Sequence, residues 1–159
     1  MSRRKRSKKR LPGKDLLYDS CLVNLFILRI LKSGKKKIAQ KIVYQALSYI
    51  QEQTNEDGLV TLELAVTKVR PAVELKPRRV GGSIYQIPVE VKGIRSINLA
   101  LRWLIKFSRD KAGKNMSIKL AREIMDAAKG LGNSIRRKED VHRMAKANRA
   151  FSYLRNRQK

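Results

Sequence analysis

Residues Lys76–Val91 read KPRRVGGSIYQIPVEV, and the pairing this stretch permits decides what the chain can build. From Val73 to Val91 the residues are rich in β-branched side chains, and Gly81-Gly82 at the pivot is a strong signal for a two-residue hairpin turn. Counting outward pairs Val80 with Ser83, Arg79 with Ile84, Arg78 with Tyr85 and Pro77 with Gln86. It continues with Lys76 opposite Ile87 and Leu75 opposite Pro88. Hydrogen-bonded and non-bonded pairs alternate from a bonded pair at the turn. Pro77 and Pro88 then fall where the missing N–H would only have pointed outward, and both blunt the outer edges against a third strand. The expectation is a two-stranded arm standing off the rest of the molecule, with Lys76, Arg78 and Arg79 near its tip. Its glycines allow the backbone to approach a phosphate or base closely. A lone hairpin is marginal in water, so this one is expected to rest on something else.

Outward from the arm the periodicity is helical. The run Cys21–Leu31 is apolar except for Asn24 and Arg29, and is too short to cross a bilayer, so it reads as a core helix. Ile38, Ala39, Ile42, Val43, Ala46, Leu47 and Ile50 recur at three and four, predicting a helix from about Lys36 to Gln53, broken by Asn55-Glu56-Asp57-Gly58. A shorter helix carries Leu62, Val66 and Val69 on one face and stops at Pro71. Ile97, Ala100, Leu101 and Leu104 mark another over about Ser96–Arg109. Ser117 is placed to cap the next, whose inner face is Leu120, Ala121, Ile124 and Ala128, with Gly130 as a left-handed stop. A last helix is expected from about Lys138 to Arg155, with Val141, Met144, Ala145 and Phe151 inward. The fold class is therefore mainly α: six helices with a projecting hairpin at about 73–91. Residues 16–159 form one helical domain behind a basic N-terminal arm at 1–15.

Among the 159 residues, 38 are Lys or Arg and 13 are Asp or Glu, a formal charge of +25. So much like charge repels itself in a compact state and calls for a polyanion. The N-terminal arm holds Arg3, Arg4, Lys5, Arg6 and Arg10 with no acidic residue before Asp15, and is expected to order on an anion. Arg95, Arg102, Lys106 and Arg109 share one side of a helix, as do Arg143, Lys146 and Arg149 on the last one. Lys35, Lys36 and Lys37 open the second helix, where backbone N–H groups favour anions. Lys111 and Lys114 lie in the loop before Ser117. Cations on phosphates supply affinity without reading sequence. Helical faces plus an arm and a tail suit a folded RNA, recognised by contour and backbone; nothing resembles a DNA half-site reader. An anionic membrane surface is the second candidate, and the amphipathic helices are better explained by each other as a shared core.

Catalytic signatures are weak. The lone Cys21 has no disulfide or zinc partner and reads as a buried thiol in an apolar helix. The lone histidine, His142, excludes a multi-histidine metal site. Gly130-Leu131-Gly132 and the run from Gly34 to Lys37 lack the spacing of a phosphate-binding loop. Glu139 and Asp140 read as helix-start electrostatics rather than an acid–base pair. No cofactor, metal or catalytic residue is expected. The alternative is a basic RNA-binding nuclease or RNA-modifying protein.

Two blocks carry a family resemblance: VRPAVELKPRRVGGSIYQIPVEV (Val69–Val91) and EDVHRMAKANRAFSYLR (Glu139–Arg155). The likeness extends through KSGKKKIAQKIVYQAL (Lys32–Leu47), ALRWLI (Ala100–Ile105) and NMSIKLAREIMDAAKG (Asn115–Gly130). The chain resembles small-subunit ribosomal protein seven, in its bacterial and plastid branch. The resemblance implies a structural protein that binds the 3′ major domain of small-subunit rRNA and nucleates assembly of the subunit head. It implies that Lys35, Lys36, Lys37, Arg95, Arg102, Lys114 and Asn115 grip rRNA, and that Arg78, Arg79, Gly81 and Gly82 serve at the arm. The arm, with Val80 and Ser83, would lie toward exit-site tRNA and mRNA, bordered by Arg143 and Arg149 on the last helix. Neighbours would be head proteins nine, thirteen and nineteen and platform protein eleven. Three positions depart from the family habit: Pro77 for a small residue, Ile84 for threonine and Lys146 for glutamate. The short C-terminal end, the lysine-rich composition and the missing transit segment point to a plastid (chloroplast) ribosome, with a bacterial cytoplasm as the alternative.

Overall fold

The computed structural model describes residues 12–155, with side chains to residue 152; Arg3, Arg4, Lys5, Arg6 and Arg10 fall outside them. The chain runs α1 (Cys21–Ile30), α2 (Lys36–Thr54), α3 (Gly58–Val69), β1 (Val73–Val80), β2 (Ser83–Glu90), α4 (Gly93–Asp110), α5 (Met116–Lys129) and α6 (Asn133–Ala147). A 3-10 segment, Asn148–Arg155, follows. Among the described residues, six helices and one antiparallel hairpin make the mainly α architecture that the periodicity predicts.

Helix α5 sits at the centre and packs against α2, α3 and α4. Leu120, Ala121, Ile124 and Ala127 meet Val43, Leu47 and Ile50 of α2 and Leu62 of α3 in one core. Phe26 and Ile27 of α1 and Leu101 and Leu104 of α4 close it, all fully covered. The stripe on α2 is narrower than the sequence suggests: Ile38 is 55% exposed, because it lies one residue, about 100°, round the helix from Ala39. Cys21 is also corrected. It is exposed, since it opens α1 roughly 200° from the inward Val23.

The turns follow local chemistry. Ser20 accepts from the Leu22 N–H at 3.2 Å and Asp57 from the Leu59 N–H at 2.9 Å, capping α1 and α3. Gly58 opens α3 against α2 so closely that a Cβ there would stand 2.6 Å from the Leu47 carbonyl oxygen; only glycine permits that approach. Gly130, at φ +83°, stops α5 as expected. Ser117 does not cap α5: Asn115 holds the cap position, and the buried Ser117 hydroxyl donates to Gln45 Oε1 at 3.0 Å, tying α5 to α2.

The body also reaches further toward the N-terminus than residue 16. Asp15 is buried, accepts from the Tyr44 hydroxyl at 2.9 Å and from the Leu17 N–H at 3.2 Å.

The final helix differs most from expectation. It begins at Asn133 instead of Lys138 and gives way to the 3-10 segment after Ala147. Glu139 and Asp140 therefore lie in its second turn, and no acidic residue occupies the first. Met144 faces outward at 40% exposure, while Val141 and Ala145 are inward. A run of three cations, Arg136 to Lys138, reads locally as a loop, yet the buried Ser134 anchors it as helix.

The hairpin register matches the prediction pair for pair, from Val80 opposite Ser83 to Leu75 opposite Pro88. Gly81 and Gly82 have φ of +57° and +89°, as a turn with two left-handed central residues requires. The arm does not stand free, however. Ile87 is buried, the Tyr85 and Phe151 rings tilt together at 5.1 Å, and the Ala72 N–H at its root donates to His142 Nε2 at 3.2 Å. Two strands alone cannot hold their shape in water, and α6 with the 3-10 segment supplies the missing support. Tyr85 and Ile87 share the covered face, while Arg79 and Ile84 stay exposed on the other.

Candidate nucleic-acid interface

Where the root of the arm meets α4 and α1, a groove of about 850 Å³ opens. Its cations are Arg29, Lys76, Lys92, Arg95 and Arg102, set against Glu74 and Glu90. A smaller hollow of about 280 Å³ continues along α4, lined by Arg29, Arg102, Lys106 and Arg109 together with Ile105 and Asp110. The spacing of seven, four and three places these α4 cations in one exposed row.

Glu74 is the keystone. Arg95 Nε donates to its Oε1 at 2.9 Å and its Oε2 at 2.8 Å, Arg95 Nη2 lies 2.8 Å from Oε2, and Lys76 Nζ lies 3.3 Å from Oε1. Burial pushes the Glu74 carboxyl up, but the donors from Arg95 and Lys76 outweigh it and hold the group below its ordinary value. The carboxylate stays charged and binds the arm to the start of α4. Arg95 is thus committed to a carboxylate, and it aligns groove and arm. Arg29 was legible only as an interruption of an apolar helix. A cation in such a run must face outward, and here its guanidinium donates to Asn98 Oδ1 at 2.7 and 3.2 Å, which holds it over the groove.

The other candidates divide. Lys35, Lys36 and Lys37 are exposed at the start of α2, and Lys114 and Asn115 are exposed before α5; none of them lines the groove. Lys111 turns inward, 2.9 Å from Glu123 Oε2 and 2.5 Å from Asp126 Oδ2. Burial lowers the Lys111 ammonium and the two carboxylates more than restore it, so it remains charged. The opposite oxygen of fully buried Glu123 accepts from the Ser134 hydroxyl at 2.6 Å and the Ser134 N–H at 3.2 Å, fastening the start of α6. On the tip, Arg79, Gly81, Gly82 and Ser83 are exposed, while Arg78 and Val80 are half-buried. Arg143 is exposed and paired with Asp140 at 2.6 Å, and Arg149 is exposed in the 3-10 segment.

Three more lysines serve helix C-termini, where carbonyls lack partners. Lys138 reaches the Lys68 carbonyl of α3 at 2.5 Å, Lys119 the Arg109 carbonyl of α4 at 2.9 Å, and Lys68 the Ala128 carbonyl of α5 at 2.5 Å. Among the described residues no group of three or more His, Cys, Asp or Glu is placed to hold a metal, and no helix is long and apolar enough to cross a membrane.

This is a basic, grooved, helical surface, and the comparisons agree with it. The family described as ribosomal protein S7p/S5e matches residues 2–149. The chain belongs to that family. It is 52% identical to the small ribosomal subunit protein uS7 of Thermosynechococcus vestitus over 98% of this chain and 99% of the relative. It is 56% identical to uS7c of Trieres chinensis over 91% of each chain, and 53% identical to uS7c of Cyanidium caldarium over 89% of this chain and 90% of the relative. This S7-family chain is a small-subunit ribosomal protein of bacterial or plastid type, and not an enzyme.

Proposed function

We propose that the chain binds the 3′ major domain of small-subunit rRNA, nucleates assembly of the subunit head, and lines the path of exit-site tRNA and mRNA with its arm and last helix. The observation that carries this reading is the groove in which Arg29, Lys76 and Arg102 converge from three elements, with Arg95 holding the arm against it through Glu74. Cations on one rigid concave surface neutralise phosphates on neighbouring strands, and the shape of the surface selects which strands fit. The exposed tip, with Arg79, Gly81, Gly82 and Ser83, and the exposed Arg143 and Arg149 are the residues proposed for the tRNA and mRNA side. Head proteins nine, thirteen and nineteen and platform protein eleven are the proposed neighbours, and a plastid ribosome is the proposed home.

Competition binding tests the reading. A 3′ major domain transcript should displace labelled RNA from the protein at far lower concentration than an unrelated duplex of equal length at the same salt. Equal displacement would show a generic polycation and overturn the assignment.

A further inference from the structure

A second cleft, of about 610 Å³, lies between α4 and the first half of α6. Arg102 lines it together with both cavities described above, and Lys106 lines it together with the smaller hollow, so the two form a ridge between basins. One wall carries Trp103 and Phe107, a turn apart on α4. The opposite wall carries Arg136 and Arg137, neither of which the sequence reading assigned to RNA. Asp140 is the one carboxylate in the lining among the described residues, and Arg143 already occupies it at 2.6 Å. Arg102, Lys106, Arg136 and Arg137 have no carboxylate partner among the described residues.

Both aromatic rings are half-buried. Elsewhere in the described residues, Tyr18 and Tyr44, and Tyr85 and Phe151, close on one another, whereas neither Trp103 nor Phe107 meets another ring. Trp103 packs partly on the core, and the Lys106 ammonium stands 5.8 Å from the Phe107 ring centre, where it already marks the ring as a partner for charge. Flat apolar surface among unneutralised cations suits a ligand that is both aromatic and anionic. A nucleotide is that ligand, and only an unpaired one can offer a base face, because a duplex keeps its faces stacked.

Building on the RNA-binding reading, we propose that this cleft takes one unpaired nucleotide of the bound RNA. Its base lies against Trp103 and Phe107, and the phosphates on either side lie on Arg102, Lys106, Arg136 and Arg137. The groove and the cleft thus divide the work: shape recognition of helical RNA on one side of the ridge, capture of a single base on the other.

Trp103 is the sole tryptophan, so its emission reports directly on the cleft. The full chain would be titrated with a short labelled single-stranded oligoadenylate and with a fully paired RNA duplex of the same length, at matched salt. Anisotropy reads binding, and tryptophan emission reads stacking. Both probes should bind, with only the single strand quenching Trp103 and shielding it from acrylamide. A single strand that binds without quenching, or equal quenching by both probes, overturns the proposal. Failure of both probes to bind would overturn the RNA-binding reading beneath it, and this one with it. Phe107→Leu keeps apolar bulk at this half-buried position. It should weaken single-strand binding about tenfold and leave duplex binding and the far-ultraviolet spectrum unchanged; equal losses for both probes overturn the assignment.

Discussion

Lys111 and His142 illustrate how a residue's neighbours decide its role. Lys111, by sequence one of many loop cations, completes a chain of contacts from Asp126 through Glu123 to Ser134. Removing it strands a fully buried carboxylate. Lys111→Ala should cost about 3 kcal/mol, read as a lower denaturant midpoint at unchanged slope, and pairing it with Glu123→Gln should recover part of the loss. His142 accepts the Ala72 N–H, which demands a neutral ring. Burial, followed by Lys138 and Lys146, lowers its pKa. Because the folded value is depressed, the contribution is complete above the ordinary imidazole value of about 6.5 and is lost as pH falls through the lower folded value. Acidification should therefore destabilise the protein more than it destabilises His142→Gln, by about 1 kcal/mol. A nuclear magnetic resonance titration that placed the His142 midpoint above the ordinary value would contradict this.

At the scale of elements, the arm is two pieces with different tasks. Its root is part of the body, through Ile87, Tyr85 and the Glu74 contacts, while Arg79, Gly81, Gly82, Ser83 and Ile84 at its tip are exposed. Replacing Arg79–Ile84 with a tight turn should leave the melting temperature nearly unchanged and weaken rRNA binding only about threefold, since one or two phosphate contacts leave with it. Retention of exit-site tRNA on reconstituted subunits should suffer instead. Extending the deletion through Ile87 removes a buried side chain and should cost about 2 kcal/mol. If the short deletion abolished rRNA binding while the protein stayed folded, the tip and not the groove would be the main anchor. The hairpin was legible to the residue, because turn glycines, strand alternation and proline placement are local constraints that all agree. The limits of α6 were not, because its start is fastened by Glu123 from another helix.

For the molecule as a whole, the charge of +25 is not one uniform field. Lys68, Lys111, Lys119 and Lys138 are engaged with carbonyls or carboxylates inside the fold, and Arg95 is engaged with Glu74. Exposed cations of the groove and of the hollow beside it, above all Arg102 and Lys106, remain for phosphate. Replacing Arg102 and Lys106 with alanine should weaken rRNA binding and flatten the plot of log affinity against log salt by roughly one unit per residue. Lys111→Ala should destabilise the fold yet leave that slope unchanged. A change of slope on removing Lys111 would place it on RNA after all.

By itself the sequence determined the helical stripes, the hairpin register, the excess of cations and the family. Each of these is written in residues a few positions apart, in bulk composition or in long matching blocks. Tertiary structure alone decided which cations reach outward, that the arm leans on the last helix, that Arg29 joins a groove with Arg102, and that Trp103 faces Arg136 across a cleft. These depend on side chains dozens of residues apart meeting in space, and local periodicity says which face of a helix is apolar, not what stands opposite its polar one.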